Sequence, residues 1–176
     1  MRTPTQLKLK PMNPIATQAA PATLDWTPAL SLSDARMDDT HEEFMSMLNH
    51  LLAAPPNEQL PLYRSFIEHT VEHFAQEERW MLATGFAADN CHAGQHVTIL
   101  ETMNAVLEHS EKGDAGIIKR IALALVEWFP QHTASMDAGL AQHLKNVGFN
   151  SSTETLSDPS TVRSATMSGC GTVSCS

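Results

Sequence analysis

The stretch His73-Phe74-Ala75-Gln76-Glu77-Glu78-Arg79-Trp80-Met81 decides the fold. His73 and Glu77 are four residues apart, so a helix places them one turn apart on the same face. The rest of that face is largely apolar, with Phe66, Thr70 and then Trp80 or Met81 at steps of three and four. An imidazole and an ionised carboxylate on a buried stripe are costly unless something binds them. A metal ion would bind them, provided that other helices supply further ligands.

The helix carrying this stretch is expected from about Glu58 to Thr84, with Asn57 as cap and Gly85 just past the end. Pro61 is tolerated because it lies near the first turn. An earlier helix runs from about Asp34 to Ala54, capped by Ser33 and stopped by Pro55-Pro56. Its inward stripe is Met37, His41, Phe44, Leu48 and Leu51. A third helix spans about Asn90 to Gly113, with Asp89 as cap, and its stripe begins with His92 and His96. The fourth, about Ala115 to Lys145, carries Ile118, Ile121, Leu125, Trp128, His132, Met136 and Leu140. Pro130 should kink or rewind it locally. Four long helices with short connections predict an all-α, up-down-up-down antiparallel four-helix bundle over residues 24–149.

The flanks read differently. Residues 1–23, rich in Pro and Thr, are expected to be a flexible arm. Leu24 to Leu32 is more apolar and should pack as an extended lead-in across the bundle. Residues 150–176 turn to Ser, Thr and Gly and are expected to be a flexible tail. Cys91 reads as a packing thiol, and Cys170 and Cys175 as two idle thiols.

Composition narrows the function. A net charge of −9 argues against nucleic acid as a partner. No apolar run is long enough to span a membrane, and the basic N-terminus lacks the apolar region of a signal peptide. Three cysteines make no disulfide framework, so a reducing cytoplasm is the default. Nine histidines are many for 176 residues.

Those histidines fall on the inward stripes. Helix one offers His41, helix two His73 and Glu77, helix three His92 and His96, helix four His132 with Asp137 five residues on. Any one of them alone would be read as a packed core histidine. All four helices together point to one central site. Five imidazoles and two carboxylates exceed a tetrahedral zinc site and suit two octahedral ions bridged by the carboxylates. The HExxH zinc pattern is absent, since His41-Glu42-Glu43-Phe44-Met45 ends in Met. The Glu-x-x-His pairs of carboxylate-rich di-iron bundles are absent as well. One spacing is awkward: five residues on a regular helix turn the second side chain about 140° from the first. Either the helix is distorted near Pro130, or His132 and Asp137 approach the site from different sides.

At this point the chain resembles the hemerythrin family. The matching residues are Trp26, Asp38-Asp39-Thr40-His41, His73-Phe74-Ala75-Gln76-Glu77-Glu78, His92-Ala93-Gly94-Gln95-His96, Trp128-Phe129-Pro130-Gln131-His132 and Asp137. They span about residues 24–147 and look most like single-domain bacterial members. The resemblance implies two iron ions joined by an oxo or hydroxo bridge and by Glu77 and Asp137. It implies that His92, His96 and His132 saturate one iron. His41 and His73 would bind the other, leaving a position open for O2 (or NO, azide and similar small ligands). It maps the surrounding pocket to Phe44, Phe74, Trp128, Phe129 and Thr133. Phe129 stands where Leu is common and Thr133 where Ile is usual; a hydroxyl there would admit water or relay a proton, or else bond a helix carbonyl. The function implied is reversible O2 binding rather than catalysis. Two alternatives stay open: an enzyme reducing NO or peroxide at the same site, and a sensor or iron-handling protein. The remaining histidines, His50, His69, His109 and His143, read as peripheral.

Overall fold

The structure, a computed structural model, describes residues 23–86, 91–114 and 116–164. Helix α1 spans Ala35–Ala53, α2 Pro56–Thr84, α3 Cys91–Glu111 and α4 Ile117–His132. A π-helical turn, Thr133–Asp137, links α4 to α5, Ala138–Val147, so that α4, the turn and α5 make the fourth rod. The rods contact one another in the ring α1–α2–α3–α4–α1, and the molecule is a four-helix bundle. Among the described residues, no helix is long and apolar enough to cross a membrane.

Helix boundaries follow local chemistry, with small shifts from expectation. Asp34, not Ser33, caps α1: its Oδ1 accepts from the Met37 N–H at 3.1 Å. Ser33 instead takes a left-handed φ of 60° in the turn before it. Helix α2 begins at Pro56, ahead of the expected cap Asn57; proline suits a first position because its missing N–H is unneeded there. Gly85 ends α2 with a φ of 67°, the left-handed cap expected of it. The expected cap Asp89 lies outside the described residues.

The core has two parts. The larger is built from Phe44, Leu48, Tyr63, Phe66, Met103, Leu125 and Phe129, all at most 1% exposed. Tyr63 ties α2 to α3 by donating its hydroxyl to the Met103 carbonyl at 3.0 Å. A smaller cluster holds Met37, Trp80, Met81, Leu140 and Leu144. The polar site lies on the stripes that join them. The lead-in packs as expected: Leu24 exchanges two hydrogen bonds with the Asn49 amide, at 2.9 and 2.7 Å, and buries its side chain with Leu30.

Two expectations need correcting. The stretch from residue 150 is not a flexible tail throughout. Phe149–Asn150 pairs antiparallel with Thr155–Leu156, and a 3₁₀ turn follows at Thr161–Ser164. Gly148, with a φ of 70°, turns the chain out of α5 into this hairpin. Asn150 Oδ1 accepts from the Ser152 and Thr153 N–H groups and closes the loop. Ser151 donates to Asp34 Oδ1 at 2.6 Å, which ties the hairpin to the cap of α1. The second correction is Cys91, which is disulfide-bonded rather than a free packing thiol. The chain's other cysteines, Cys170 and Cys175, fall outside the described residues.

Candidate metal centre

Each helix delivers its inward polar residue to one place. His41, Glu77, His96 and Asp137 are fully buried, and His73, His92 and His132 are at most 3% exposed. Within this cluster Glu77, His92, His96, His132 and Asp137 can place one ligand atom each within 4.8 Å of one another. His41, His73 and Glu77 form a second such group. Glu77 belongs to both groups.

The carboxylates are divided between the two groups. Glu77 Oε1 lies 3.1 Å from His73 Nε2 and 3.7 Å from His41 Nε2. Its Oε2 lies 3.1 Å from His92 Nε2 and 3.4 Å from His96 Nε2. Asp137 repeats the pattern: Oδ2 is 3.3 Å from His41 Nε2, whereas Oδ1 is 2.9 Å from His92 Nε2 and 3.1 Å from His132 Nε2. Each acid therefore turns one oxygen to each side.

Asp137 reaches this position because of the π-helical turn. The Ala138 N–H bonds to the Thr133 carbonyl, five residues back, which widens the helix by one residue. The extra residue brings Asp137 round to the face of His132. Pro130 itself sits inside regular α4, so the distortion lies after it rather than at it.

The donor set fits a cation. His41 Nε2, His92 Nε2, Glu77 Oε2 and both Asp137 oxygens are buried without a hydrogen bond, despite their short separations. The atoms are close but misaligned for bonding to each other, since they aim at shared interior points. Buried polar atoms left this way are expensive, and a bound metal satisfies them. Charge tells the same story. Burial pushes the His41 imidazole down, but the Asp137 and Glu77 carboxylates outweigh it and raise its pKa to about 10. His92 rises to about 9 against burial for the same reason. Burial holds His96 down at about 3. Glu77 and Asp137 stay well below the usual carboxylate range: burial opposes this, but the surrounding imidazoles prevail. The cluster is thus able to hold a metal cation.

Aromatic rings wall the centre. Phe44 and Phe129 stack at 4.4 Å, and Phe129 meets the His41 ring edge-on at 5.3 Å. Phe74 lies 5.3 Å from the His73 ring and stacks on His96 at 3.8 Å. Trp128 is half-buried and stacks on His132 at 4.3 Å. Thr133 is buried one helical turn beyond Phe129, and its hydroxyl has no hydrogen-bond partner. Of the two readings of this hydroxyl, the bond to a preceding helix carbonyl is not made.

Other neighbours take roles that the spacing of the stripes does not reveal. Gln95 Oε1 lies 3.0 Å from His132 Nδ1. Gln76 donates to Thr40 Oγ1 and accepts from Arg36 Nε, beside the first turn of α1. His143 is buried, not peripheral: its Nε2 sits 3.1 Å from the Thr84 carbonyl and holds α5 to the end of α2. His69 packs at the rim, 6.1 Å from the His73 ring and 3.9 Å from Glu43.

Comparison with known proteins points to one family. The sequence profile of the hemerythrin HHE cation binding domain matches residues 33–144. A bacteriohemerythrin of Ralstonia nicotianae is 34% identical over 125 residues, which cover 71% of this chain and 91% of that protein. No solved structure matches the chain. A buried histidine and carboxylate cluster drawn from all four rods, together with these two matches, shows that the chain belongs to the hemerythrin family.

Proposed function

We propose that this protein is a di-iron protein that reversibly binds O2. The observation that carries the reading is the split of each carboxylate: Glu77 and Asp137 both direct one oxygen to the His41 side and one to the His92 side. That is the arrangement of acids that bridge two ions. Glu77 and Asp137 would bridge, His92, His96 and His132 would complete one iron, and His41 and His73 would hold the other. An imidazole-rich set with two carboxylates and no thiolate suits iron. When bound, the pair of irons supplies two electrons and an open position for O2.

The chain's own contribution is confinement. Phe44 and Phe129 cover the His41 and His73 side, which carries two imidazoles rather than three. Their rings exclude water and anions that would compete for the open position. Trp128 and Phe74 fix His132 and His96 by stacking on their faces.

The test is optical. The chain is loaded anaerobically with two equivalents of Fe(II), O2 is admitted, and the visible spectrum is recorded. A new band that vanishes on deoxygenation supports reversible binding; a chain that takes up no iron rules the reading out. The second reading, an enzyme that reduces NO or peroxide, draws on one observation. The Thr133 hydroxyl is a buried, uncommitted donor in an otherwise apolar wall. Rapid, irreversible oxidation with turnover of peroxide or NO would favour it.

A further inference from the structure

The five imidazoles of the cluster differ in how their outer nitrogens are held. Nδ1 of His41, His73, His92 and His96 is buried with no hydrogen-bond partner. His132 Nδ1 lies 3.0 Å from Gln95 Oε1. Its Nε2, on the far side of the ring, lies 3.1 Å from Asp137 Oδ1 and 3.2 Å from His96 Nε2, pointing into the cluster.

His132 also occupies an unusual place in the chain. It is the last residue of α4, immediately before the π-helical turn that re-aims Asp137. Trp128 stacks on its face at 4.3 Å with 25° between the planes. Stacking fixes the plane of the ring but tolerates a half-turn within that plane, which would exchange the inward nitrogen for a carbon. A hydrogen bond at Nδ1 does not tolerate it.

We propose that Gln95 is a positioning residue for His132. Its amide oxygen accepts the Nδ1–H, and a neutral imidazole protonated at Nδ1 keeps its lone pair on Nε2, where a metal needs it. The opposite amide orientation would donate to Nδ1 and leave the proton on Nε2, which then could not bind a metal. Gln95 stands on α3 between His92 and His96, so one helical turn supplies two ligands and the group that orients a third from α4. Because the acceptor is a neutral amide, it draws the Nδ1 proton less than a carboxylate would. Gln95 therefore also limits how strongly His132 donates to the metal.

This role rests on the dinuclear reading above. The full chain and its Q95L and Q95E variants are loaded anaerobically with Fe(II). Iron retention against a chelator and the midpoint potential are then measured, with circular dichroism to check the fold. Q95L should lose about tenfold to 100-fold in iron affinity. Q95E should retain iron within a few-fold of the parent while its potential moves negative. If Q95L fails to fold, the Q95E potential still decides. A parent chain that binds two irons, with Q95L equally tight and Q95E at the same potential, overturns the positioning role alone. A parent chain that binds no iron overturns the dinuclear reading and this role with it.

Discussion

Glu77 Oε2 and Asp137 Oδ1 meet at a single nitrogen: His92 Nε2 lies 3.1 Å from the first and 2.9 Å from the second. Two buried carboxylates brought to one imidazole make the cluster a store of protons when no cation is bound. His41, raised to about 10, and His92, raised to about 9, are then imidazolium at pH 7. Metal loading must expel those protons. Apparent metal affinity should rise between pH 6 and pH 8 by about tenfold per unit for each proton released. Titration in weak buffer with a pH indicator measures the release directly.

The same shifts set the pH profile of the metal-free fold. A raised imidazole pKa stabilises fully below the unfolded value of 6.5, and that contribution is lost as pH climbs through about 10 for His41. The lowered carboxylates act the other way. Their contribution is present above the ordinary range, near about 4, and is lost as pH falls below it. His96, held down at about 3, acts against stability as pH falls below 6.5, so chemical denaturation of the metal-free chain should show greatest stability near pH 6.5. Bound metal should flatten the alkaline limb, because the histidines are then already deprotonated.

If Glu77 and Asp137 bridge two ions as proposed, replacing either should change stoichiometry before it changes fold. E77Q removes the charge that faces both groups of imidazoles, and the neutral amide cannot bridge two cations. Metal analysis should show two ions per parent chain and at most one per E77Q chain. D137N should behave likewise.

Phe129 bears on stability and on the site together. Its ring is 1% exposed, stacks on Phe44 and abuts His41. F129A should cost about 3–5 kcal/mol through the cavity it leaves. F129L, which nearly keeps the volume, should cost under about 1.5 kcal/mol. In the loaded protein both should speed azide binding, read by stopped-flow absorbance, with F129A the faster.

Thr133 gives the reverse combination. Its buried hydroxyl has no partner, so T133V removes an unmet polar group at nearly constant shape. Stability should stay the same or rise by up to about 1 kcal/mol. Loss of the hydroxyl should slow oxidation of the O2 adduct to the diferric form, as should T133I. Equal autoxidation rates in parent, T133V and T133I would remove any role for this hydroxyl at the site.

Much of this was legible in the chain because the bundle writes itself in period and punctuation. Phe66, Thr70, His73, Glu77 and Trp80 recur at helical spacing, and all are buried on one stripe of α2. The prolines and glycines between the rods mark all three connections of the bundle. The clustered groups were visible for the same reason: a histidine on an apolar stripe violates the pattern. What escaped obeyed no local pattern. Gln95 lies inside the matched stretch His92 to His96, but helical periodicity gives it no task until His132 arrives from 37 positions away. The π-helical turn has no residue signature of its own; only the awkward five-residue step from His132 to Asp137 hinted at it. The hairpin after Gly148 reads as low-complexity Ser and Thr because its order comes from contacts with Asp34 and α5 rather than from its own hydrophobicity. Cys91 was misjudged because a disulfide is disfavoured in the reducing compartment that three cysteines suggested.

The bond from Ser151 to Asp34 spans 117 positions of the chain. It fastens the hairpin after α5 to the cap of the helix that bears His41. Contacts of such long range carry the largest loop-closure cost. The His41 to Asp137 pairing, 3.3 Å apart across 96 residues, closes a loop of similar size. His73, Glu77, His92 and His96, by contrast, lie close in sequence on α2 and α3. Completing the cluster therefore depends on the first rod seating against the fourth, and the bond from Ser151 to Asp34 clamps that same seam.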